Sequence, residues 1–147
     1  MKKNIRKYLI ISLLLFTLVL IRIYESTVFN DGLIIFFKHK YLSAPLPNVS
    51  AFSILIIDTL RFWLNTALSM IILYVLFGQK NLIRFLLWFY FSIFIISILL
   101  FMYSLMNYEV GHYLALFYTR RILIQPLALL ILIPALFYQK KELIQKE

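Results

Sequence analysis

The stretch AFSILIIDTLRFWLNTALSMIILYVLF, residues 51–77, decides the fold. It is almost wholly apolar and holds no proline or glycine. It exceeds the roughly 20 helical residues needed to cross about 30 Å of hydrocarbon. It therefore reads as a transmembrane helix, yet it carries Asp58, Arg61, Asn65 and Ser69 in its interior. At 100° per residue these four fall within an arc of about 80°. A charged side chain at mid-bilayer costs about 2.5–3.5 kcal/mol on insertion scales. One leucine returns only about 0.6 kcal/mol. The stripe is therefore expected to face other helices, a polar cavity or a partner protein. Asp58 and Arg61 are three apart and can pair along the helix, which lowers their mutual cost. A plainer reading makes them an ion pair near an interface that fixes the depth of the helix.

Working outward, further apolar runs cover residues 82–106 and 119–138, and a first one covers roughly 8–24. The first follows Lys2, Lys3, Arg6 and Lys7. It ends at Arg22-Ile-Tyr-Glu-Ser with no small-residue cleavage pattern, so it reads as an uncleaved helix. Arg22 would snorkel to the far interface. Between the first two spans, Asn30-Asp31-Gly32 signals a turn. Residues 33–41 suggest a short interfacial helix, and Ala44-Pro45-Leu46-Pro47-Asn48 breaks any helix before the next span. The expected architecture is a single all-α membrane domain over residues 1–147. It has four transmembrane helices and a short interfacial helix in the first outer loop.

Composition agrees. Hydrophobic residues make up 63% of the 147 and charged residues 14%, against about 45–50% apolar in ordinary soluble domains. A soluble chain of this size could not bury that much apolar surface. The formal charge is +9, but the cations cluster at the ends of apolar runs, where they orient helices and touch anionic lipid headgroups. No nucleic-acid motif accompanies them, so membrane lipids and not nucleic acid are the expected partners. With the N-terminus inside, nine cations (Lys2, Lys3, Arg6, Lys7, Lys80, Arg84, Lys140, Lys141 and Lys146) lie on the inner side. Five (Arg22, Lys38, Lys40, Arg120 and Arg121) lie outside. The positive-inside rule then puts both termini in the cytoplasm.

Tyr118-Thr119-Arg120-Arg121-Ile122-Leu123-Ile124-Gln125-Pro126 opens the last span. Arg121 and Gln125 lie four apart on one face, while a plainer reading has Arg120 and Arg121 anchor a helix end, which fits one of the two. Pro126 has no amide proton and frees the carbonyl of Ile122, which invites a kink or a polar neighbour. Pro134 repeats the perturbation. Glu109 and His112 lie in the loop before this span. By topology these groups are level with Asp58. The expected polar cluster is Asp58, Arg61, Asn65, Glu109, His112, Arg121 and Gln125. Catalytic and metal motifs do not emerge. There is no cysteine and no G-x-S-x-G elbow, and the two histidines are far apart, so no cofactor and no metal are expected.

Arg61-Phe62-Trp63-Leu64-Asn65-Thr66-Ala67-Leu68-Ser69, followed by Tyr74-Val75-Leu76-Phe77, resembles the exosortase F system-associated membrane proteins, a family of small bacterial membrane proteins. So do Phe117-Tyr118-Thr119-Arg120-Arg121-Ile122-Leu123-Ile124-Gln125-Pro126-Leu127 and Pro134-Ala135-Leu136-Phe137-Tyr138-Gln139. The resemblance runs over nearly the whole chain. It implies a multi-pass protein of the bacterial inner membrane, encoded beside an exosortase. An exosortase is a membrane transpeptidase that processes C-terminal sorting signals with a cysteine, an arginine and a histidine. A chain without cysteine is not that enzyme. The implied role is accessory and non-catalytic, with an integral membrane partner such as an exosortase. Asp58, Arg61, Asn65, Arg121 and Gln125 are the expected docking residues. Two rival readings stay open. One is an oligomeric transport or permeation component, since intramembrane charges and kinked helices also mark pathways. The other is an outer-leaflet enzyme using Glu109 or His112 as acid or base.

Overall fold

A computed structural model describes residues 2–29, 32–39, 47, 50–107, 109 and 113–145. Among them every regular element is helical: α1 (Lys2–Ile23), α2 (Glu25–Val28), α3 (Gly32–His39), α4 (Ala51–Phe77), α5 (Lys80–Met106), α6 (Leu114–Ile124) and α7 (Leu127–Gln145). Two helices, Ala51–Phe77 and Asn81–Met106, are long and apolar enough to cross a membrane. The pair Leu114–Ile124 and Leu127–Lys141 makes a third if the two halves, bent by 55°, form one span.

Helix α4 is the hub, packed against α1, α5, α6 and α7. Its buried residues, Ile54, Asp58, Arg61, Phe62, Thr66, Ser69, Ile72 and Leu73, recur every three or four positions, the period of one helical face. The polar stripe thus lies on the face that the other helices cover. At its C-terminus Gly78 takes the left-handed conformation, φ 69°, and its amide donates to the Tyr74 carbonyl. A residue with a Cβ would be strained there. The tight reversal at Gly78 and Gln79 returns α5 antiparallel to α4. Helix α5 contributes a narrow buried stripe, Leu82, Leu86, Tyr90, Ser97 and Phe101. The rest of its length carries exposed apolar residues such as Ile96, Leu99 and Tyr103.

Three contacts set directions. Lys7 Nζ donates to the Leu76 carbonyl at 2.6 Å, so α1 begins where α4 ends and the two run antiparallel. Arg120 meets Asp58, and the rings of Phe77 and Phe137 lie 5.0 Å apart. Helices α6 and α7 therefore follow α4 in the same direction along its length. As a result, the start of α1 and the second half of α7 lie at the same end of the molecule.

One element differs from the sequence expectation. The single kinked helix expected over 119–138 is two helices, starting at Leu114 and separated at Gln125-Pro126. Proline at 126 cannot donate to Ile122, and the Gln125 backbone turns extended, with ψ 142°. Pro134, by contrast, lies inside α7 without ending it. The helix expected over 33–41 forms as α3 and buries Leu33, Ile34 and Phe36. Its rings pack edge-on against the start of α6, Phe36 on Tyr113 and Phe37 on Phe117.

Candidate functional site: a buried ion-pair seam and a broken helix

Asp58 is fully buried on α4. Arg120 reaches it from α6 with two parallel hydrogen bonds, Nε to Oδ2 at 3.0 Å and Nη2 to Oδ1 at 3.2 Å. This fork-on-carboxylate geometry is the strongest form of the pair and fixes orientation as well as distance. Arg61, one turn along α4, lies 3.7 Å from Asp58 Oδ1 through Nη1. Its Nη2 donates to the Phe29 carbonyl at 3.2 Å, and its guanidinium stacks 4.6 Å from the centroid of the Phe29 ring. Arg61 thus ties α4 to the end of α2, where carbonyls lack helical partners and a cation is favoured.

One turn further, Asn65 Nδ2 donates to the Ile124 carbonyl at 2.7 Å. That carbonyl sits at the end of α6, where no later amide can reach it. The polar neighbour invited by Pro126 is therefore Asn65, and the carbonyl it satisfies is that of Ile124. Ser69 Oγ donates back to the Asn65 carbonyl at 2.7 Å.

The structure thus brings Asp58, Arg61 and Asn65 together along one seam and adds Arg120 to it. Arg121 points elsewhere. It is exposed, its Nε donates to Gln125 Oε1 at 3.0 Å, and it lies over the Phe117 ring. Gln125 sits at the break itself. Glu109 is exposed, and His112 lies outside the described residues. The sequence did contain the signal for Arg120. Leu116, Arg120 and Leu123 are spaced by four and three and form the buried face of α6. Arg121 is rotated about 100° from that face.

Because the break bends α7 away, cavities open on both sides of it. Between α4, α5 and the α6–α7 break lies a cleft of about 370 Å³. Its wall is apolar except for the hydroxyls of Thr66, Ser69, Tyr90 and Ser97 and the amides of Asn65 and Gln125. On the other side, between α1 and α7, a groove of about 410 Å³ runs from Leu15 to Ile23 on α1, with Arg61, Asn65 and Gln125 at its polar end. With both carboxylate oxygens held by Arg120, Asp58 acts as a strut between helices. The polar groups facing the two cavities are neutral amides and hydroxyls, apart from Arg22, Arg61 and Glu25 of the groove.

No protein-family model, curated protein or solved structure matches the chain.

Proposed function

We propose that this protein is a non-catalytic accessory subunit of an exosortase-type protein sorting system in the bacterial inner membrane. It crosses the bilayer four times, with both termini cytoplasmic. The apolar run of α1 between Lys7 and Arg22 is about 21 Å long at 1.5 Å per residue. Snorkelling of those two cations extends its reach to both interfaces. Lys7 and Lys140 belong to the same end of the molecule, since Lys7 bonds to Leu76 and Lys140 lies beside Phe77 and Gln79. That end carries the excess of basic residues and so suits the cytoplasmic side. Helix α3, with Lys38 near its end, then sits at the outer interface.

The observation that carries the functional reading is the cleft beside the break. Intramembrane charges at Asp58, Arg61 and Arg120 serve the fold, whereas the cleft offers an open apolar wall dotted with small hydroxyls. Transmembrane helices associate through close packing of small residues and interhelical hydrogen bonds, not through the hydrophobic effect. The cleft, with Ser97 and Thr66 in its wall, supplies both for side chains of a partner helix. Asn65 and Gln125 also face it, and they are the expected docking residues that remain accessible there. The resemblance of the chain to exosortase F-associated proteins supplies the partner class.

The test is capture from native membranes in mild detergent, with a C-terminal tag and partners identified by mass spectrometry. Wild-type protein is expected to recover an exosortase. Ile96→Trp with Ile131→Trp, both exposed at the cleft mouth, is expected to lose it while inserting normally. Recovery of the chain only as a homo-oligomer would contradict the sorting role and favour an oligomeric permeation component.

A further inference from the structure

The groove between α1 and α7 differs from the cleft in its charge. Its apolar wall is built from Leu15, Leu18, Val19, Leu129 and Leu130, among others, and ends at Arg22, Glu25, Arg61 and Gln125. Adjoining that end is a second, polar depression of about 210 Å³, which shares Arg22, Glu25, Ile124 and Gln125 with the groove. Its lining adds Lys38, Arg120 and Arg121. Five cations, Arg22, Lys38, Arg61, Arg120 and Arg121, against the one carboxylate of Glu25 thus line the head of the groove and the depression beside it.

The dimensions fit one leaflet. From Leu15 to Ile23 the groove follows α1 for about 12 Å, close to the roughly 15 Å of hydrocarbon in half a bilayer. Arg22 lies at its headgroup end. Among the rim cations, Arg22 and Arg121 are both exposed. Arg22 Nη1 bonds to Glu25 Oε2 at 2.7 Å, and Arg121 Nε bonds to Gln125. A guanidinium presents five donors in a planar fork, so each arginine has further N–H groups to offer a phosphate.

We propose that this groove and its rim form a binding site for one anionic phospholipid. An acyl chain lies along α1 and α7, and the phosphate sits between Arg22, Lys38 and Arg121. This differs from general contact between basic residues and a membrane surface. It is a site with one chain position and one headgroup position, beside the 55° bend between α6 and α7. Lipid here would back the break from the side opposite the cleft, since Asn65, Gln125, Pro126 and Leu127 line both cavities. The site belongs to the isolated chain, so its failure and the failure of partner docking are separate results.

Native mass spectrometry of the purified full-length chain tests it. The probes are phosphatidylglycerol and phosphatidylcholine with identical acyl chains, and inorganic phosphate as competitor. One phosphatidylglycerol per chain is expected to be retained, about tenfold in preference to phosphatidylcholine. Arg22→Gln and Arg121→Gln should each lower that preference about fivefold, the usual effect of one cation near an anionic lipid. Leu130→Trp, exposed in the groove wall, should reduce retention of both lipids. A thermal melt of each variant identifies any that misfolds, and the two arginine variants provide independent readings. Equal retention of the two lipids would overturn the proposal, as would retention untouched by Leu130→Trp. Displacement of the lipid by millimolar phosphate would assign the rim to a free anion and overturn it too. So would a dimer peak that Leu130→Trp abolishes with no lipid bound, which would give the groove to a second copy.

Discussion

Helix α4 is held in two different ways along its length. In its first half, facing α6 and α2, the contacts are directional: Asp58 to Arg120, Arg61 to the Phe29 carbonyl, and Asn65 to the end of α6. In its second half the side-chain contacts are mainly apolar, with Ile72, Leu73 and Leu86 fully buried and Phe77 against Phe137, and the Lys7 bond to the Leu76 carbonyl comes only at its end. In water the second kind would dominate. In a bilayer, lipid tails are as apolar as leucine, so apolar packing gains little from burial alone and depends on shape. The polar half is therefore expected to fix the register of α6 against α4 and the position of the break. The apolar half is expected to tolerate substitution.

The largest expected effect follows from removing one side of the seam. Asp58→Leu leaves Arg120 buried without its carboxylate and should destabilise the fold by about 3–5 kcal/mol. Unfolding in mixed dodecyl sulfate micelles would measure this. Asp58→Leu combined with Arg120→Leu removes the bidentate pair and should recover only part of that loss, since buried Arg61 keeps its bond to the Phe29 carbonyl but loses the carboxylate beside it. A double variant as unstable as the sum of the two single ones would mean the pair does not act as a unit. Asn65→Leu is expected to cost less, about 0.6–1.7 kcal/mol, the range measured for interhelical hydrogen bonds in membranes. The loss should appear as faster hydrogen exchange at the end of α6. Phe77→Leu, a conservative change in the apolar half, should stay below about 1.5 kcal/mol. Arg121→Gln, on the exposed face, should leave the melting temperature unchanged.

The same contrast marks what could be read from the sequence. Helix α4 was legible to the residue, because a long apolar run ending at glycine admits one reading, and α5 nearly so. The polar stripe was legible as a buried face from its helical period, and Pro126 as a disturbance. Its size was not legible. Whether a proline kinks a helix or ends it depends on whether a neighbour satisfies the freed carbonyls, and here Asn65 reaches Ile124 from another helix. The choice between Arg120 and Arg121 turned on a rotation of about 100°. It could have been made only by weighting Leu116 and Leu123 above the proximity of Gln125. The hydroxyls of Ser97 and Tyr90 gave no signal, since single polar residues in an apolar helix look alike until the cleft they face is known. The contact of Arg61 with Phe29 joins a span to a loop, and no periodicity links the two.

Capture of the proposed exosortase partner from native membranes by two variants side by side separates the struts from the proposed docking surface most directly. Asp58→Leu with Arg120→Leu removes the charged strut and leaves the cleft, whereas Ile96→Trp with Ile131→Trp fills the mouth of the cleft and leaves the strut. The expected result is that the first variant still recovers an exosortase and the second does not. Loss of the partner by the variant lacking Asp58 and Arg120, if it folds as the wild type does, together with its retention by the cleft-filled one, would contradict the assignment. The docking surface would then lie on the charged seam.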